Sequence, residues 1–402
     1  MSHNLPESPE LSTPENIKAI LHSALGNIGK LEECALLDYP QHLNIGDHVI
    51  WLATIFYLKD ILKTKIKYTA SLNYFSEQEM EKNVGKAPII FPGGGNLGDL
   101  WPQIQDFKER IIAKYRDRPI IILPQCIYFS QLKTLSKAAA IFNAHPNLTL
   151  FTRDNRSYEF ALKYFYNCRV INSPDIVFHL VNMPLPSLKF NPKRTILYLC
   201  RQDREINQEF SPTALEIPNL VVQDWVAYNW TYRDLGKLVE LRKLPGSVNE
   251  IVKLLLREGW QRGLAGPLEW ISRQRWEHCH PYAENFKDIY NPAMHRFSWS
   301  IMHAGLYQLL QNRLVITNRL HGHIICAILG IPHIFLPNAY HKNQSFYETW
   351  SNQIVSCKFV KDARELKAAV QELSILSGKS GELLPSDPLT ELSSSNSSML
   401  SS

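Results

Sequence analysis

The sequence lacks the cysteine pairs and the strong net charge that mark several classes of protein. Its cysteines are scattered and no two are spaced as CxxC: they stand at positions 34, 126, 168, 200, 279, 326 and 357. Such a set predicts reduced thiols rather than a secreted disulfide framework. The net charge of +5 over 402 residues is too small and dispersed to favour nucleic acid, although it suits anionic small molecules.

The sequence also lacks a segment that could cross or be threaded through a membrane. The longest apolar run, residues 324–336, is broken by Gly330 and Pro332 and is too short to span a bilayer. The first residues contain no basic stretch followed by an apolar one, so we predict no signal peptide. The expected location is the cytoplasm, with at most a peripheral association at the inner face of the cell membrane.

A dinucleotide-binding fingerprint is missing as well. The stretch Pro92-Gly93-Gly94-Gly95 is not GxGxxG, and no acidic residue follows a strand about 20 positions further on, which argues against a nicotinamide site. Three consecutive glycines are nevertheless costly unless something must approach the backbone closely. We therefore predict that Gly94 and Gly95 face a ligand, the alternative being a packing role.

A zinc site is not indicated by the tripeptide His278-Cys279-His280. It has neither the spacing of a zinc motif nor a second pair of ligands. We predict a loop at this point and no metal.

The arrangement of apolar residues predicts an α/β protein. Short apolar runs alternate with helix-length amphipathic segments, which is typical of parallel sheets, and the chain is longer than one core usually serves. The predicted fold class is α/β, with two doubly wound Rossmann-like domains facing each other across a cleft. We place an N-terminal domain at residues 14–185 and a C-terminal domain at 186–380, with disordered tails at 1–13 and 381–402.

The predicted strands fall into two groups separated by a proline-bearing linker at residues 181–195. Those of the first half are residues 34–39, 66–71, 88–93, 119–125, 148–153 and 169–180. Those of the second half are residues 195–201, 314–318, 332–338 and 354–360. Residues 202–290 show no regular pattern.

The tetrapeptide Asn-apolar-Gly-Asp occurs twice, at residues 44–47 and 96–99. Each copy follows a predicted strand and precedes a helix-like run, so its Asn or Asp can cap that helix. Free amides at a helix start bind phosphate or carboxylate, and the alternative is a cap and tight turn without a ligand. The residues that we assign to a substrate site from these copies are Asn44, Gly46, Asp47 and Asn96.

Charged residues follow the strand at residues 314–318, where Arg319 and His321 begin a helix-like run. Open α/β sheets bind ligands at this end of a strand. Arginine offers a fork that matches phosphate or carboxylate, and histidine can exchange a proton near neutral pH. His323 should point to a different face as a packed or exposed structural histidine. Arg201 ends another predicted strand, the alternative being an ordinary strand-end charge.

Taken together, these residues resemble the polysaccharide pyruvyl transferase family in its bacterial exopolysaccharide branch. The resemblance runs from about Leu37 to Trp350 and rests on the order and spacing of several short motifs. The matching segments are Asp38-Tyr39-Pro40, residues 44–47, 92–102 and 122–129, Thr152-Arg153-Asp154, Ser173-Pro174-Asp175, Arg201-Gln202-Asp203, and residues 318–323 and 338–350.

The resemblance implies a fold like that of GT-B glycosyltransferases and a transfer of the carbon skeleton of phosphoenolpyruvate onto a sugar as a cyclic ketal. It implies that Arg201 and Arg319 hold the donor, that Arg319 and His321 are catalytic, and that His321 is the acid–base residue. No metal or redox cofactor is expected. Further substrate-binding residues implied by the matching segments are Gln125, Asn318, Lys342 and Asn343.

The expected partners are phosphoenolpyruvate, a glycan acceptor that is lipid-linked or free, and membrane glycan-assembly proteins that the chain contacts peripherally. Two other functions stay open at this point. One is a glycosyltransferase of the same fold that uses a nucleotide sugar. The other is a carbohydrate- or stress-associated binding protein without catalysis, because a fold does not fix a function.

Overall fold

The computed structural model describes residues 11–184, 193–203, 205–210, 212, 217–218, 220–226, 265–280 and 286–379. These residues form two sheets in which every strand pairing is parallel. The prediction of a parallel α/β protein is therefore confirmed. The predicted tails fall almost wholly outside the described residues, as does most of the predicted linker.

The first sheet has seven strands in the order β2-β1-β3-β5-β6-β7, with β4 paired to the end of β5. Its strands are β1 (Glu33–Leu37), β2 (Lys65–Ala70), β3 (Ile89–Phe91), β4 (Gly94–Gly98), β5 (Ile120–Tyr128), β6 (Leu148–Thr152) and β7 (Arg169–Asn172). Most of their residues are apolar and buried, as a sheet covered on both faces requires.

The second sheet has five strands in the order β12-β11-β10-β8-β9. Its strands are β8 (Lys193–Leu199), β9 (Leu220–Gln223), β10 (Asn312–Thr317), β11 (His333–Phe335) and β12 (Cys357–Phe359). Strands β8 and β10 lie side by side, so the residues that follow them meet at one edge of the sheet.

Eleven α-helices are found among the described residues. They are α1 (Pro14–Leu25), α2 (Ile45–Phe56), α3 (Glu77–Val84), α4 (Pro102–Lys114), α5 (Leu132–Ala144), α6 (Asn155–Tyr164), α7 (Ala265–Cys279), α8 (Pro292–Leu310), α9 (Leu320–Ile328), α10 (Lys342–Phe346) and α11 (Leu366–Lys379). None of these helices combines the length and apolar character that a membrane crossing needs, as far as the described chain extends.

Helix α2 connects the first half of the chain to the second. All of its residues except Asp47 are buried, which fits a helix that is covered on every side. It packs on α8, where the Trp51 indole donates a hydrogen bond to His295 Nδ1 (3.1 Å) and the Phe56 ring contacts Trp299 (6.0 Å between centroids). These contacts join the first half of the chain to the second.

The predicted strand at residues 169–180 is wrong from residue 173 onward. Strand β7 ends at Asn172, and Ile176–Leu180 form a 3-10 helix instead. Pro174 has no amide hydrogen for a strand ladder. The Asp175 carboxylate accepts a hydrogen bond from the Val177 amide (2.9 Å) and so caps the short helix.

The stretch without a predicted pattern is partly regular. Within residues 202–290 the described chain contains strand β9 and helix α7. His278 and Cys279 end α7, so the predicted loop at the His-Cys-His tripeptide is wrong for these two residues. His280 is buried and its Nε2 lies 3.0 Å from the Pro184 carbonyl oxygen.

Candidate functional site

His321 lies where the two sheets meet. Strand β10 ends at Thr317 and helix α9 begins at Leu320, so this side chain stands at the carboxyl end of a central strand, as predicted. It is only 8% exposed. Its Nε2 atom lies 3.6 Å from the Asp175 carboxylate and 3.4 Å from the Arg153 guanidinium, both of which belong to the first sheet's half of the chain.

Arg153 and Asp175 form a buried ion pair behind this histidine. Their side chains are 1% and 0% exposed, and Nη1 of the arginine donates to the carboxylate at 2.5 Å. Burial would raise the pKa of Asp175, but the Arg153 charge and the neighbouring His321 outweigh it and lower that pKa to about 2. The carboxylate is thus ionised, and it is shared between the arginine and the histidine.

Gly46, in the first turn of α2, lies against the other side of the imidazole. A Cβ at position 46 would lie 2.2 Å from His321 Nδ1 and 2.9 Å from its Cβ. No L-residue with a side chain could occupy this position without moving the histidine. Asn44 caps the helix by accepting from the Gly46 amide (3.3 Å) and also donates to Asp47 (2.7 Å). The predicted cap at residues 44–47 is confirmed, and its glycine makes room for His321.

The second sheet contributes cations, and each is held by a carboxylate. Arg201 donates to Asp203 through two nitrogens at 2.7 and 2.9 Å, and to Glu205 at 3.0 Å. Arg319 makes the same two-pronged contact with Asp224, and it lies 3.8 Å from Asp203. The two arginines, at the adjacent ends of β8 and β10, are therefore joined through the Asp203 carboxylate.

Lys342 extends this charged set toward the first sheet. Its ammonium group is buried and donates to Glu205. Burial lowers the pKa of Lys342, while the charge of Glu205 opposes that effect. A Cβ at Gly95 would lie 3.6 Å from Lys342 Nζ and 3.2 Å from Arg153 Nη2, so the predicted glycine lies between cations of both sheets.

Two of the predicted substrate-binding residues hold the backbone in place. Asn318 accepts a hydrogen bond from the Arg201 amide (2.9 Å). Asn343 donates to the carbonyl oxygens of Asn318 (2.8 Å) and Leu336 (2.9 Å), and its own Oδ1 has no partner among the described residues. Both side chains are fully buried, so they position the strand ends that carry Arg201 and Arg319.

Asn96 and Gln125 belong to a second buried network in the first sheet. Asn96 accepts from Lys108 (3.0 Å) and from Gln125 (3.1 Å) and donates to Asp38 (3.2 Å). Lys108 also bonds the Asp38 carboxylate at 2.8 Å, with both groups buried. These contacts satisfy the polar atoms of Asn96 and Gln125 within the protein.

The second copy of the tetrapeptide does not cap a helix as the first does. Residues Gly94–Gly98 form strand β4, and a Cβ at Gly98 would lie 1.8 Å from the Tyr128 carbonyl oxygen. Gly94 and Gly98 have φ of 138° and 132°, which L side chains rarely adopt. Asp99 instead accepts from Ser130 and Gln131 amides, both at 2.9 Å, ahead of α5. Backbone conformation and close strand packing explain these glycines.

Sequence reasoning assigned no role to several charged residues of the site, although some stood in matching segments. The residues concerned are Asp38, Lys108, Arg153, Asp175, Asp203, Glu205 and Asp224. Arg153 and Asp175 could have been found, because charged residues directly after apolar strands occupy the ligand-binding edge of a sheet. Lys108 could not, since it lies within a helix whose pattern gives no sign that it points inward.

A histidine, four cations and their carboxylates lie at the carboxyl ends of the strands of two parallel sheets. This arrangement is that of an α/β protein that binds ligands at strand ends. Comparison with known proteins makes this specific. The chain belongs to the polysaccharide pyruvyl transferase family, whose profile matches residues 44–340. The resemblance predicted from the sequence is confirmed, and it makes the chain a member of a transferase family.

Two relatives in sequence carry the name pyruvyl transferase. The chain is 28% identical over 349 residues to "Putative pyruvyl transferase EpsO" of Bacillus subtilis, covering 87% of this chain and 94% of the relative. It is 28% identical over 330 residues to "Pyruvyl transferase 1" of Schizosaccharomyces pombe, covering 80% and 70%. A solved structure of an uncharacterised Klebsiella pneumoniae protein aligns with 18% identity and a TM-score of 0.49, covering 86% of this chain and 96% of that one.

Proposed function

We propose that the protein transfers the pyruvyl group of phosphoenolpyruvate onto two hydroxyls of a sugar, forming a cyclic ketal. The observation that carries the proposal is the contact of His321, from the second sheet, with the Arg153–Asp175 pair of the first sheet in a chain of this family. A proton-exchanging group beside fixed cations suits a donor that carries a phosphate and a carboxylate.

His321 acts as the acid–base residue. The Asp175 carboxylate and the Arg153 guanidinium lie on the Nε2 side of the ring and hold it in place. Gly46 packs against the Nδ1 side, where its lack of a side chain leaves room for the ring. The donor's methylene carbon gains a proton, a sugar hydroxyl attacks the neighbouring carbon and loses its proton, and phosphate leaves. The second hydroxyl then closes the ring.

The anionic donor competes with carboxylates for the cations of the second sheet. Asp203 and Asp224 are the more exposed of these carboxylates, at 35% and 24% of their side chains, whereas Glu205 is 6% exposed. We infer that phosphate and carboxylate groups of the donor take the places of Asp203 and Asp224 on Arg201 and Arg319. Lys342 stays paired with Glu205, because that pair is buried.

The wider assignment follows from the same proposal. The two sheets belong to two Rossmann-like domains in a GT-B-like arrangement, the acceptor is a sugar of an exopolysaccharide or cell-surface glycan precursor, and no metal or redox cofactor takes part in the transfer. The protein works in the cytoplasm, beside membrane glycan-assembly proteins. A nucleotide-sugar donor is less well supported, because the family match is to pyruvyl transferases.

Heavy water distinguishes ketal formation from related reactions. In this transfer the CH2 group of phosphoenolpyruvate becomes CH3, so the product methyl should carry one deuterium and one phosphate should be released per ketal formed. Mass spectrometry of glycan acceptors incubated with phosphoenolpyruvate in heavy water measures both. An unsaturated product would show an enolpyruvyl transfer, and a product that needs a nucleotide sugar would show a glycosyl transfer. Either result would overturn the proposal.

Replacing Gly46 by alanine tests the position of the histidine. The added methyl group overlaps the His321 ring, so the ring must move, and we expect turnover to fall by about tenfold to a hundredfold. Gly26→Ala is the matched control, because a Cβ there meets nothing within 4 Å and its φ of −55° suits alanine. Thermal midpoints of both variants should stay close to that of the unchanged protein. Equal turnover in the two variants would show that His321 is not confined by Gly46.

A further inference from the structure

Three buried side chains converge at a point on the second sheet that the proposed reaction does not use. His323, His333 and Cys357 are buried, and their ligand-capable atoms all lie within 4.8 Å of one another. His323 Nδ1 is 2.8 Å from His333 Nε2 and 3.5 Å from Cys357 Sγ. The three belong to helix α9 and to the first residues of the paired strands β11 and β12, so the backbone sets their spacing.

The remaining ring nitrogens orient the two histidines toward this point. His333 Nδ1 lies 2.8 Å from the Ile331 carbonyl oxygen, which can only accept, so Nδ1 carries the hydrogen and Nε2 has a lone pair facing the cluster. His323 Nε2 lies 2.9 Å from the Ser351 hydroxyl, which can accept a hydrogen from it. Histidines that bind metals are held in the same way by a partner on their second nitrogen.

The distances suit a small thiophilic cation. Zinc binds nitrogen at about 2.0–2.1 Å and sulfur at about 2.3 Å, so tetrahedral angles require about 3.3 Å between two nitrogens and about 3.5 Å between nitrogen and sulfur. The nitrogen–sulfur distance of 3.5 Å agrees. The nitrogen–nitrogen distance of 2.8 Å is that of a hydrogen bond and has to widen by about 0.5 Å.

The charge states of the two histidines suit a cation, whereas that of the cysteine has to change on binding. Burial lowers the pKa of His323 well below its ordinary value and that of His333 to about 4, so both rings are neutral at pH 7 and can act as ligands. Burial also raises the pKa of the Cys357 thiol, and the nearby Cys326 adds to that effect. A bound cation is what would stabilise the thiolate in such surroundings.

We propose that His323, His333 and Cys357 bind one Zn²⁺ ion. On binding, the Cys357 thiol loses its proton to solvent, and the His323 hydrogen resides on Nε2 beside Ser351. The ion ties helix α9 to strands β11 and β12. His321 lies two residues before His323 on the same helix, so the ion holds in place the helix that carries it without joining in the reaction.

Cobalt titration of the untagged full-length chain tests this site. After treatment with a chelator, one equivalent of Co²⁺ should produce a thiolate-to-cobalt charge-transfer band in the near ultraviolet, and Zn²⁺ should abolish the band. Zn²⁺ should also raise the thermal midpoint, because a ligand that binds only the folded state stabilises it. Absence of the band from the unchanged protein would overturn the proposal, whatever the variants do.

Cys357→Ser should remove the band and weaken Zn²⁺ binding by at least about tenfold. Mutation of a residue that only hydrogen-bonds to a metal ligand already lowers metal affinity by about that factor. Cys34→Ser is the matched control, because Cys34 is also buried but lies on β1 of the other sheet. It should keep both the band and the affinity. An equally intense band in Cys357→Ser would contradict the site.

Discussion

His321→Gln is expected to lower kcat by roughly a hundredfold or more while the protein stays folded. Glutamine preserves much of the hydrogen-bonding shape beside Asp175 but cannot exchange a proton near neutral pH. The effect should appear in kcat rather than in KM for phosphoenolpyruvate, because the cations that hold the donor are untouched. Phosphate release in a steady-state assay measures both constants.

His22→Gln is a suitable control for this substitution. His22 is also partly buried and hydrogen-bonded, with its Nε2 2.9 Å from His179 Nδ1, but it belongs to helix α1 and has no described contact with the site. The turnover of the His22→Gln variant should match that of the unchanged protein. If His321→Gln retained more than about a tenth of the activity, the acid–base role would pass to another residue.

Asp175→Asn should have the largest effect on stability. Removing one partner of a buried ion pair leaves the other charge uncompensated, which costs about 3–5 kcal/mol of unfolding free energy. Arg153 and Asp175 are both almost inaccessible to solvent, so this case applies to them. Activity should also fall, since His321 loses the carboxylate that orients it. Denaturant unfolding gives the free energy, and turnover under native conditions gives the second effect.

Two further variants separate the charge effect from simple damage to the core. Asp175→Asn combined with Arg153→Met should recover part of the lost stability, because no unpaired charge remains. Glu372→Gln removes one partner of the exposed pair with Lys358 and should cost no more than about 1 kcal/mol. If the double variant were less stable than Asp175→Asn alone, the unpaired charge would not be the cause.

The Arg153–Asp175 pair makes the stability of the protein fall toward low pH. The pKa of Asp175 is lowered from 3.8 to about 2 in the folded protein. Its contribution to stability is therefore fully present above pH 4 and is lost as the pH falls through 2. Asp175→Asn should remove this part of the acid dependence.

Much of the fold and part of the site could be predicted from the sequence, for physical reasons that particular residues illustrate. Parallel strands buried on both faces read as continuous apolar runs, which made β5 and β10 recognisable. The polar residues directly after such runs meet at one edge, which made Arg319 and His321 candidates. Strand β4 was missed because its glycines do not look like a strand, and the close approach of Gly98 to Tyr128 depends on a distant segment.

The pairing of charges could not be predicted, since it depends on contacts between distant segments. Arg201 and Arg319 were expected to be available to a donor, but Asp203, Glu205 and Asp224 hold them. Likewise, the glycine at position 46 was assigned to a ligand, and its closest neighbour is a side chain about 270 positions further along the chain. Local pattern indicates where a strand ends but not which side chain from another segment meets it there.

His321 and Asp175 come from different halves of the chain, so the reaction depends on how these two halves are aligned. The attraction between the His321 ring and the Asp175 carboxylate, 3.6 Å apart, falls as the two groups separate further. His321 and Asp175 are carried by different sheets, so a small slip of one half against the other would uncouple them while both sheets remained intact. A site that is shared between the two halves should therefore lose turnover at a lower denaturant concentration than the one at which secondary structure is lost.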